Sequence, residues 1–252
     1  MHRGEFEAGQ RAREWFHELT VPPGVWTVVR VDGRGFSRFT EQHFDKPFDA
    51  AFSGLMVETA RAMLTEFDAR YVYTESDEIS VVLQSEHGLF GRGVEKIVSI
   101  TAGVASAAFT HAAGRPAHFD SRVWIGAGVG DVIDYVSWRQ ADATRCALNG
   151  WCYWTLRKTG ASRREAAQRL HGTSVADKNE LLFQHGINFN EVPAWQRRGI
   201  GLWWEDVSRS GHDPVRGVDV NTTRRQVHVE RDLPMKDDYR ALVEELITRG
   251  RA

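Results

Sequence analysis

The stretch Val25–Gly35, which reads VWTVVRVDGRG, decides the fold. Its first part, Val25–Val31, is dense in β-branched residues, and this density predicts a buried strand. The strand runs directly into Asp32 and a glycine-rich turn. The sequence therefore predicts a carboxylate at the end of a buried strand.

The segments that follow predict the rest of a sheet. Apolar residues recur at helical spacing over Phe48–Phe67, and the Ala-rich stretch 93–112 is also predicted to be helical. Tyr71–Tyr73 and Ile79–Leu83 flank a short polar turn, a pattern typical of a hairpin. Arg122–Val129 is predicted to be a further strand. The order strand, helix, hairpin, helix, strand indicates an α+β, ferredoxin-like fold with a split βαβ antiparallel sheet.

The remaining segments predict an appended region. Residues 132–185 are predicted to be helical, with a break near Lys158–Gly160, and two strand-like stretches follow. Elsewhere we expect an amphipathic helix over 5–19, strands at Gly199–Val207 and Gln226–Glu230, and a flexible loop at Ser208–Arg216.

Composition excludes several classes of protein. The chain has 252 residues, 42% of them hydrophobic, and a formal net charge of −2, so an RNA partner would have to be met by local basic clusters. The sequence contains no run of 18 apolar residues and begins with a polar stretch, so we expect no membrane segment and a cytoplasmic location. Most of the nine tryptophans are predicted to fill the core, and the alternative for one or two of them is stacking on bases or packing at a subunit interface.

Three carboxylates are predicted to meet at one end of the sheet. Asp32 ends the first strand, while Asp77 and Glu78 lie at the tip of the hairpin, whose strands neighbour that first strand in a ferredoxin-like sheet. Converging carboxylates suit Mg²⁺, and two such ions can stabilise both the attacking and the leaving oxygens of a phosphoryl displacement. The alternative is that each is an ordinary turn acid.

Glycines and cations near Asp32 are suited to phosphate. Gly33 and Gly35 permit close approach of the backbone, and exposed N–H groups there can cradle a triphosphate. No Walker motif is present, because no G-K-[ST] follows the turn. The site also has cations and a hydroxyl in or near it, namely Arg30, Arg34, Lys46 and Ser76. The alternative for each is an ordinary surface or turn role.

At this point the motifs resemble those of the tRNA(His) guanylyltransferase family. An eight-residue run such as YVSWRQAD is specific, and the similarity extends in the family's order from about residue 5 to 205. The matching stretches are VRVDGRGF (29–36), Lys46-Pro47, Ser76-Asp77-Glu78, YVSWRQAD (135–142), LHGTSVADKNELL (170–182) and GINFNE (186–191).

This resemblance implies a palm catalytic core over residues 1–131 and a helical and β extension over 132–252 that completes the same catalytic unit. It implies that Asp32, Asp77 and the Gly33 carbonyl ligate two Mg²⁺ ions, supported by Glu78, with Asp32, Asp77 and Glu78 as the catalytic carboxylates. The residues implied to hold the nucleoside triphosphate are Arg30, Asp32, Gly33, Arg34, Gly35, Phe36, Ser37, Lys46, Ser76 and Asp77. Those implied to contact tRNA or nucleotide, with buried ion pairs as the alternative, are Arg139, Lys178 and Asn179.

The resemblance also implies the chemistry. ATP activates a 5′-monophosphorylated tRNA end, and the 3′-hydroxyl of a second triphosphate, such as GTP, then attacks that end and expels AMP. The family's proteins are often tetramers.

One departure bears on the substrate. Eukaryotic members carry His-Ile-Asn-Asn-Leu-Tyr-Asn where this chain has Thr144–Gly150 (TRCALNG), as in the bacterial and archaeal guanylyltransferase-like proteins. We therefore expect template-dependent 5′-end repair of tRNA. The alternatives are guanosine addition to tRNA(His), a palm nucleotidyl cyclase, and a non-catalytic tRNA-binding protein.

Overall fold

A computed structural model describes residues 3–213 and 218–249. The helices in these ranges are α1 (Arg3–Arg11), α2 (Phe36–His43), α3 (Ala50–Glu66), α4 (Val94–Ala113), α5 (Val129–Lys158), α6 (Arg163–Leu170), α7 (Val175–Gln184), α8 (Ala194–Arg198) and α9 (Lys236–Thr248). The strands are β1 (Trp26–Gly33), β2 (Tyr71–Glu75), β3 (Glu78–Val82), β4 (Phe119–Gly126), β5 (Ile200–Asp213) and β6 (Val218–Glu230).

The six strands form one antiparallel sheet in the order β4-β1-β3-β2-β5-β6. The first four strands of that order reproduce the split βαβ arrangement, which confirms the α+β, ferredoxin-like prediction. Two central pairings fix the site, because they set Asp32 opposite Glu78 and Glu75 opposite Glu78. The acidic residues thus share one end of the sheet.

Side chains alternate between the two faces of the sheet along each strand, and each face packs against different helices. Val29, Val31 and Val81 belong to one core, which they form with residues of α3 and α4. Val28 and Tyr73 point to the opposite face and pack with residues of α5 and α9. Since side chains two positions apart share a face, Arg30 and Asp32 lie on the α5 side of the sheet.

Two local predictions are wrong. The amphipathic helix predicted over 5–19 ends at Arg11, because Trp15 and Phe16 remain exposed and Phe16 adopts a φ of 69°, so packing does not stabilise further turns. The loop predicted at Ser208–Arg216 is strand as far as Asp213, since cross-strand hydrogen bonds to β6 extend this polar segment. Residues 214–216 lie outside the described residues.

The appended region joins the same sheet. β5 pairs with β2 from Ile200 opposite Thr74 to Trp203 opposite Tyr71, so strands from beyond residue 132 extend the sheet built by residues 1–131. The division at 131/132 stays a prediction. Among the residues that the structure describes, no helix has the length and apolar character needed to cross a membrane.

Candidate active site

Asp32 and Asp77 meet where β1 ends beside the β2–β3 turn. The Gly33 amide donates to the Asp77 carbonyl at 3.0 Å, which ties the two turns together. Burial, and then the nearby charge of Asp32, raise the pKa of Asp77 above its ordinary value. Ser76 donates to the Asp77 carboxylate at 3.0 Å, from a backbone with a φ of 49°. Two mutually repelling carboxylates therefore face one location.

Glu78 lies in a buried ion pair behind this location. Its two carboxylate oxygens accept from Nε and Nη2 of Arg139, each at 2.7 Å, and Arg30 Nη1 lies 3.8 Å away. Burial raises the pKa of Glu78, although Arg139 opposes that effect. Arg139 is itself only 5% exposed. It therefore forms the buried ion pair that was the alternative to a contact with tRNA or nucleotide.

Two further acids in this network were not singled out from the sequence. Arg139 also donates to Glu75 at 3.3 Å and to Asp142 at 3.2 Å. Burial, followed by the charge of Glu78, raises the pKa of Glu75 to about 8. The two-residue period of β2 was a usable signal, because it places Glu75 on the same face as Tyr73 and next to Glu78.

A cavity of about 350 Å³ opens beside Asp77. Five of the residues predicted to bind nucleotide line it, namely Phe36, Ser37, Lys46, Ser76 and Asp77. Further lining residues that the sequence had not indicated include Phe48, Asp49, Tyr153, Trp154, Arg163 and Trp195. The cavity thus combines a carboxylate edge, a cation and aromatic walls.

Lys46 is the cation that faces Asp77 within this cavity. Its Nζ donates to Thr40 Oγ1 at 2.5 Å and lies 5.8 Å from the centroid of the Trp154 ring. Burial lowers the pKa of Lys46, and the charge of Asp77 opposes that effect. A partly desolvated ammonium of this kind interacts more strongly with a phosphate than an exposed one does.

The turn after β1 leaves backbone N–H groups for an anion. Gly35, at a φ of 75°, precedes α2, whose first turn has neither a side-chain cap nor an acidic residue. Such a helix start attracts phosphate. Arg34 and Ser37 are exposed next to it, whereas the Phe36 ring is buried in the core, so Phe36 offers only its backbone.

Gly33 is required for the packing of this turn, and its replacement gives a first prediction. A Cβ at Gly33 would clash with the Phe36 ring. We expect Gly33→Ala to lower the free energy of unfolding by about 1–3 kcal/mol, as overpacking does. Gly54→Ala, where α3 leaves open space, is the control and should raise it by about 0.5–1 kcal/mol. Chemical denaturation measures both, and an unchanged Gly33→Ala protein would contradict the prediction.

Lys178 and Asn179 lie away from the acids. Both are on α7, where the Lys178 carbonyl accepts from Cys152 Sγ at 3.4 Å and Asn179 donates to the Val175 carbonyl at 2.8 Å. Cys152 is thirteen residues beyond Arg139 on α5, roughly 20 Å along the helix axis. Neither lines the cavity, so their predicted contact with tRNA or nucleotide stays a prediction.

The donor set fits a hard divalent cation. Across residues 3–213 and 218–249, no group of three His, Cys, Asp or Glu side chains is arranged to hold a metal ion. Mg²⁺ requires only one or two carboxylates, because it keeps waters and binds substrate phosphates. Asp32, Asp77 and the Gly33 carbonyl would provide this set, and a bound cation would neutralise the repulsion between the two carboxylates.

Comparison with protein families gives two matches that together span most of the chain. Residues 9–126 match the family described as Thg1: tRNAHis guanylyltransferase, and residues 130–246 match the Thg1 C terminal domain.

Individual relatives agree with these matches. The chain is 35% identical over 210 residues to a probable tRNA(His) guanylyltransferase of Mus musculus, covering 78% of this chain and 70% of that protein. It is 37% identical over 202 residues to a probable tRNA(His) guanylyltransferase of Dictyostelium discoideum, covering 75% and 79%.

Solved structures share the fold. The tRNA(His) guanylyltransferase of Saccharomyces cerevisiae superposes with a TM-score of 0.69 at 27% identity, over 75% of this chain and 90% of that one. A bacterial tRNA(His) guanylyltransferase-like protein in complex with ATP superposes with a TM-score of 0.76 at 23% identity, over 97% and 99%.

Proposed function

Because this chain belongs to the tRNA(His) guanylyltransferase family, whose members are nucleotidyltransferases, we propose that it adds nucleotides to the 5′ end of tRNA. One observation carries the proposal: Asp77, whose pKa is raised by burial and by the nearby charge of Asp32, borders a cavity that also contains Lys46. The names of the relatives favour guanosine addition to tRNA(His) as the specific reaction.

The cavity is proposed to bind the incoming nucleoside triphosphate, ATP or GTP. Lys46 balances phosphate charge from the cavity wall, while the N–H groups after Gly35 and the Ser76 hydroxyl bind phosphate oxygens. Asp32, Asp77 and the Gly33 carbonyl would hold Mg²⁺, which when bound supplies positive charge for the phosphates. Aromatic side chains at Phe48, Trp154 and Trp195 provide apolar walls suited to a base.

The proposed reaction has two displacements. The 5′-monophosphate of the tRNA attacks the α-phosphorus of ATP, and pyrophosphate leaves. The 3′-hydroxyl of the next triphosphate then attacks the activated 5′ phosphorus, forms the new phosphodiester bond and expels AMP. Both are phosphoryl displacements, and in both the negative charge on the reacting phosphate needs to be stabilised at the acidic edge of the sheet. The Arg139–Glu78 pair holds that edge rigid, since it anchors β3 to α5.

Template-dependent 5′-end repair is the second candidate, favoured by the segment Thr144–Gly150. The structure places this segment within α5, where Ala147 and Leu148 pack in a hydrophobic cluster. Apart from Leu148, it has none of the residues of the eukaryotic motif at the corresponding positions, so the motif's asparagines and tyrosine are absent there. Loss of those polar groups favours a substrate defined by base pairing. A tetrameric assembly and a cytoplasmic location are further proposals.

The two candidates are separated by one assay with purified protein, Mg²⁺, ATP and all four triphosphates. Substrates are 5′-monophosphorylated tRNA(His) that lacks its additional guanosine, and a second tRNA that lacks its first nucleotide. Guanosine addition to the first substrate alone supports tRNA(His) guanylylation, while growth of the second with the base set by the opposing strand supports repair. No growth of either, together with a cyclic product from triphosphate alone, would identify a cyclase and overturn the proposal.

A further inference from the structure

Trp138 is an exposed tryptophan beside the acidic edge. Its side chain is 54% exposed, so Trp138 is one of the tryptophans that do not fill the core. It lies on α5 immediately before Arg139, on the helix that covers the face of the sheet carrying Arg30 and Asp32. An exposed aromatic ring beside this edge is available to stack on a base.

The ring is held in place by buried cations. The Arg139 guanidinium carbon lies 4.6 Å from the centroid of the Trp138 ring, and that of Arg30 lies 5.8 Å from it. Tyr135 contacts the ring edge-on, with centroids 5.8 Å apart. Because the side chains of Arg139 and Arg30 are only 6% and 16% exposed, they cover the protein side of the indole. The solvent-facing part of the ring is therefore preorganised.

Trp138 lies outside the cavity, over the face of the sheet that carries Arg30 and Asp32. Arg30 contacts both Trp138 and the acidic edge. Its Nη1 lies 3.8 Å from Glu78, and Glu78 is opposite Asp32 on the neighbouring strand. The side chain of Asp32 is 40% exposed to solvent. The cavity is lined by Asp77 and Lys46, and Trp138 is not among its lining residues.

A transfer between two nucleotides needs a second substrate opposite the first, because the attacking and leaving oxygens are in line. The end of a paired acceptor stem presents the flat face of its terminal base, and an aromatic ring binds such a face by stacking. We propose that Trp138 stacks on the base of the 5′-terminal nucleotide of the RNA and so positions its 5′ phosphate at the acids. This inference rests on the proposed function.

A double-mutant cycle on binding tests the stack. The proteins are wild type, Trp138→Ala and Trp138→Phe, with Trp15→Ala as a matched control, since Trp15 is 79% exposed and lies in the N-terminal segment. The RNAs are a 5′-monophosphorylated tRNA and the same tRNA with an abasic 5′-terminal nucleotide. Dissociation constants are measured with Mg²⁺ and without triphosphate, and elongation of the intact tRNA is measured separately.

We expect Trp138→Ala to bind the intact tRNA roughly five- to hundredfold more weakly, with Trp138→Phe close to wild type. Wild type should lose a similar factor on the abasic tRNA, and Trp138→Ala should bind both tRNAs equally. If wild type binds and elongates tRNA but Trp138→Ala loses nothing, or loses the same factor on both RNAs, the stacking inference alone is overturned. Failure of wild type to bind or elongate the intact tRNA would overturn the proposed function as well.

Discussion

Replacing Asp77 by asparagine is expected to lower kcat/KM for nucleotide addition by about 100- to 1000-fold, the scale on which losing one preorganised electrostatic group acts. The amide keeps the size of the side chain but removes the charge that faces Lys46 and the proposed Mg²⁺ site. Steady-state kinetics with a 5′-monophosphorylated tRNA measure the loss. It should appear in kcat, because the group acts on charge that develops in the transition state.

The same substitution is expected to raise the thermal stability of the metal-free protein. Burial and the charge of Asp32 raise the pKa of Asp77 in the folded state. A carboxyl group whose folded pKa is raised contributes stability below its unfolded pKa and loses that contribution as the pH rises through the folded value. At neutral pH the ionised Asp77 therefore opposes folding, and asparagine removes that opposition.

Mg²⁺ provides the second half of this test. It should raise the unfolding temperature of the wild type, because a ligand that binds only the folded state stabilises it, and it should have much less effect on Asp77→Asn. Asp134→Asn is the matched control, since Asp134 is 69% exposed and pairs with Arg240 at 2.7 Å on the surface. Retained activity in Asp77→Asn, or an equal Mg²⁺ effect on both proteins, would contradict the assigned role of Asp77.

Replacing Arg139 by methionine is expected to cost about 3–5 kcal/mol of unfolding free energy, the range for removing one partner of a buried ion pair. Arg139 donates two hydrogen bonds to Glu78 and one to Glu75. Without it, Glu75 loses its ion pair, and among the residues that the structure describes Glu78 keeps only Arg30, at 3.8 Å. Chemical denaturation of the purified variant measures the loss.

The pH dependence identifies the cause of that loss. The pKa of Glu75 is about 8 even with Arg139 present, so protonation relieves the buried charge as the pH falls below that value. The difference in stability between Arg139→Met and wild type should therefore be larger at pH 9 than at pH 5. Adding Glu75→Gln should recover part of the loss at pH 9.

Arg240→Met is the control for the loss of an arginine. Its partner Asp134 is exposed, and surface ion pairs contribute about 0–1 kcal/mol. A loss in Arg139→Met no greater than in Arg240→Met, or one that does not change with pH, would show that the buried network does not anchor β3 to α5.

The sequence by itself determined the sheet and the position of its acids. The β-branched run at Val25–Val31 and the hairpin around Asp77 carry strong local signals, and the ferredoxin-like order follows from them. That order is enough to bring Asp32 next to Glu78, because neighbouring antiparallel strands fix which residues face each other. Local pattern and chain order sufficed for these features.

Other features were decided only by tertiary structure. The pKa of Glu75 is raised mainly by burial, which its turn-like sequence context does not reveal. Arg139 was found from a motif, but its hydrogen bonds to Glu78 arise from the docking of α5 on the sheet. The distal parts of β5 and β6, residues 208–213 and 218–225, follow from pairing between segments whose hydropathy carries no strand signal.

The exposure of Trp138 is decided in the same way. Its neighbour Arg139 is buried and Trp138 is not, because α5 turns one side toward the sheet and the other toward solvent. Burial, charge coupling and exposure each depend on many residues that are distant from one another in the chain. The sequence therefore determined which groups are present and which strand ends they share, and tertiary packing decided which are buried, which are paired and which are exposed.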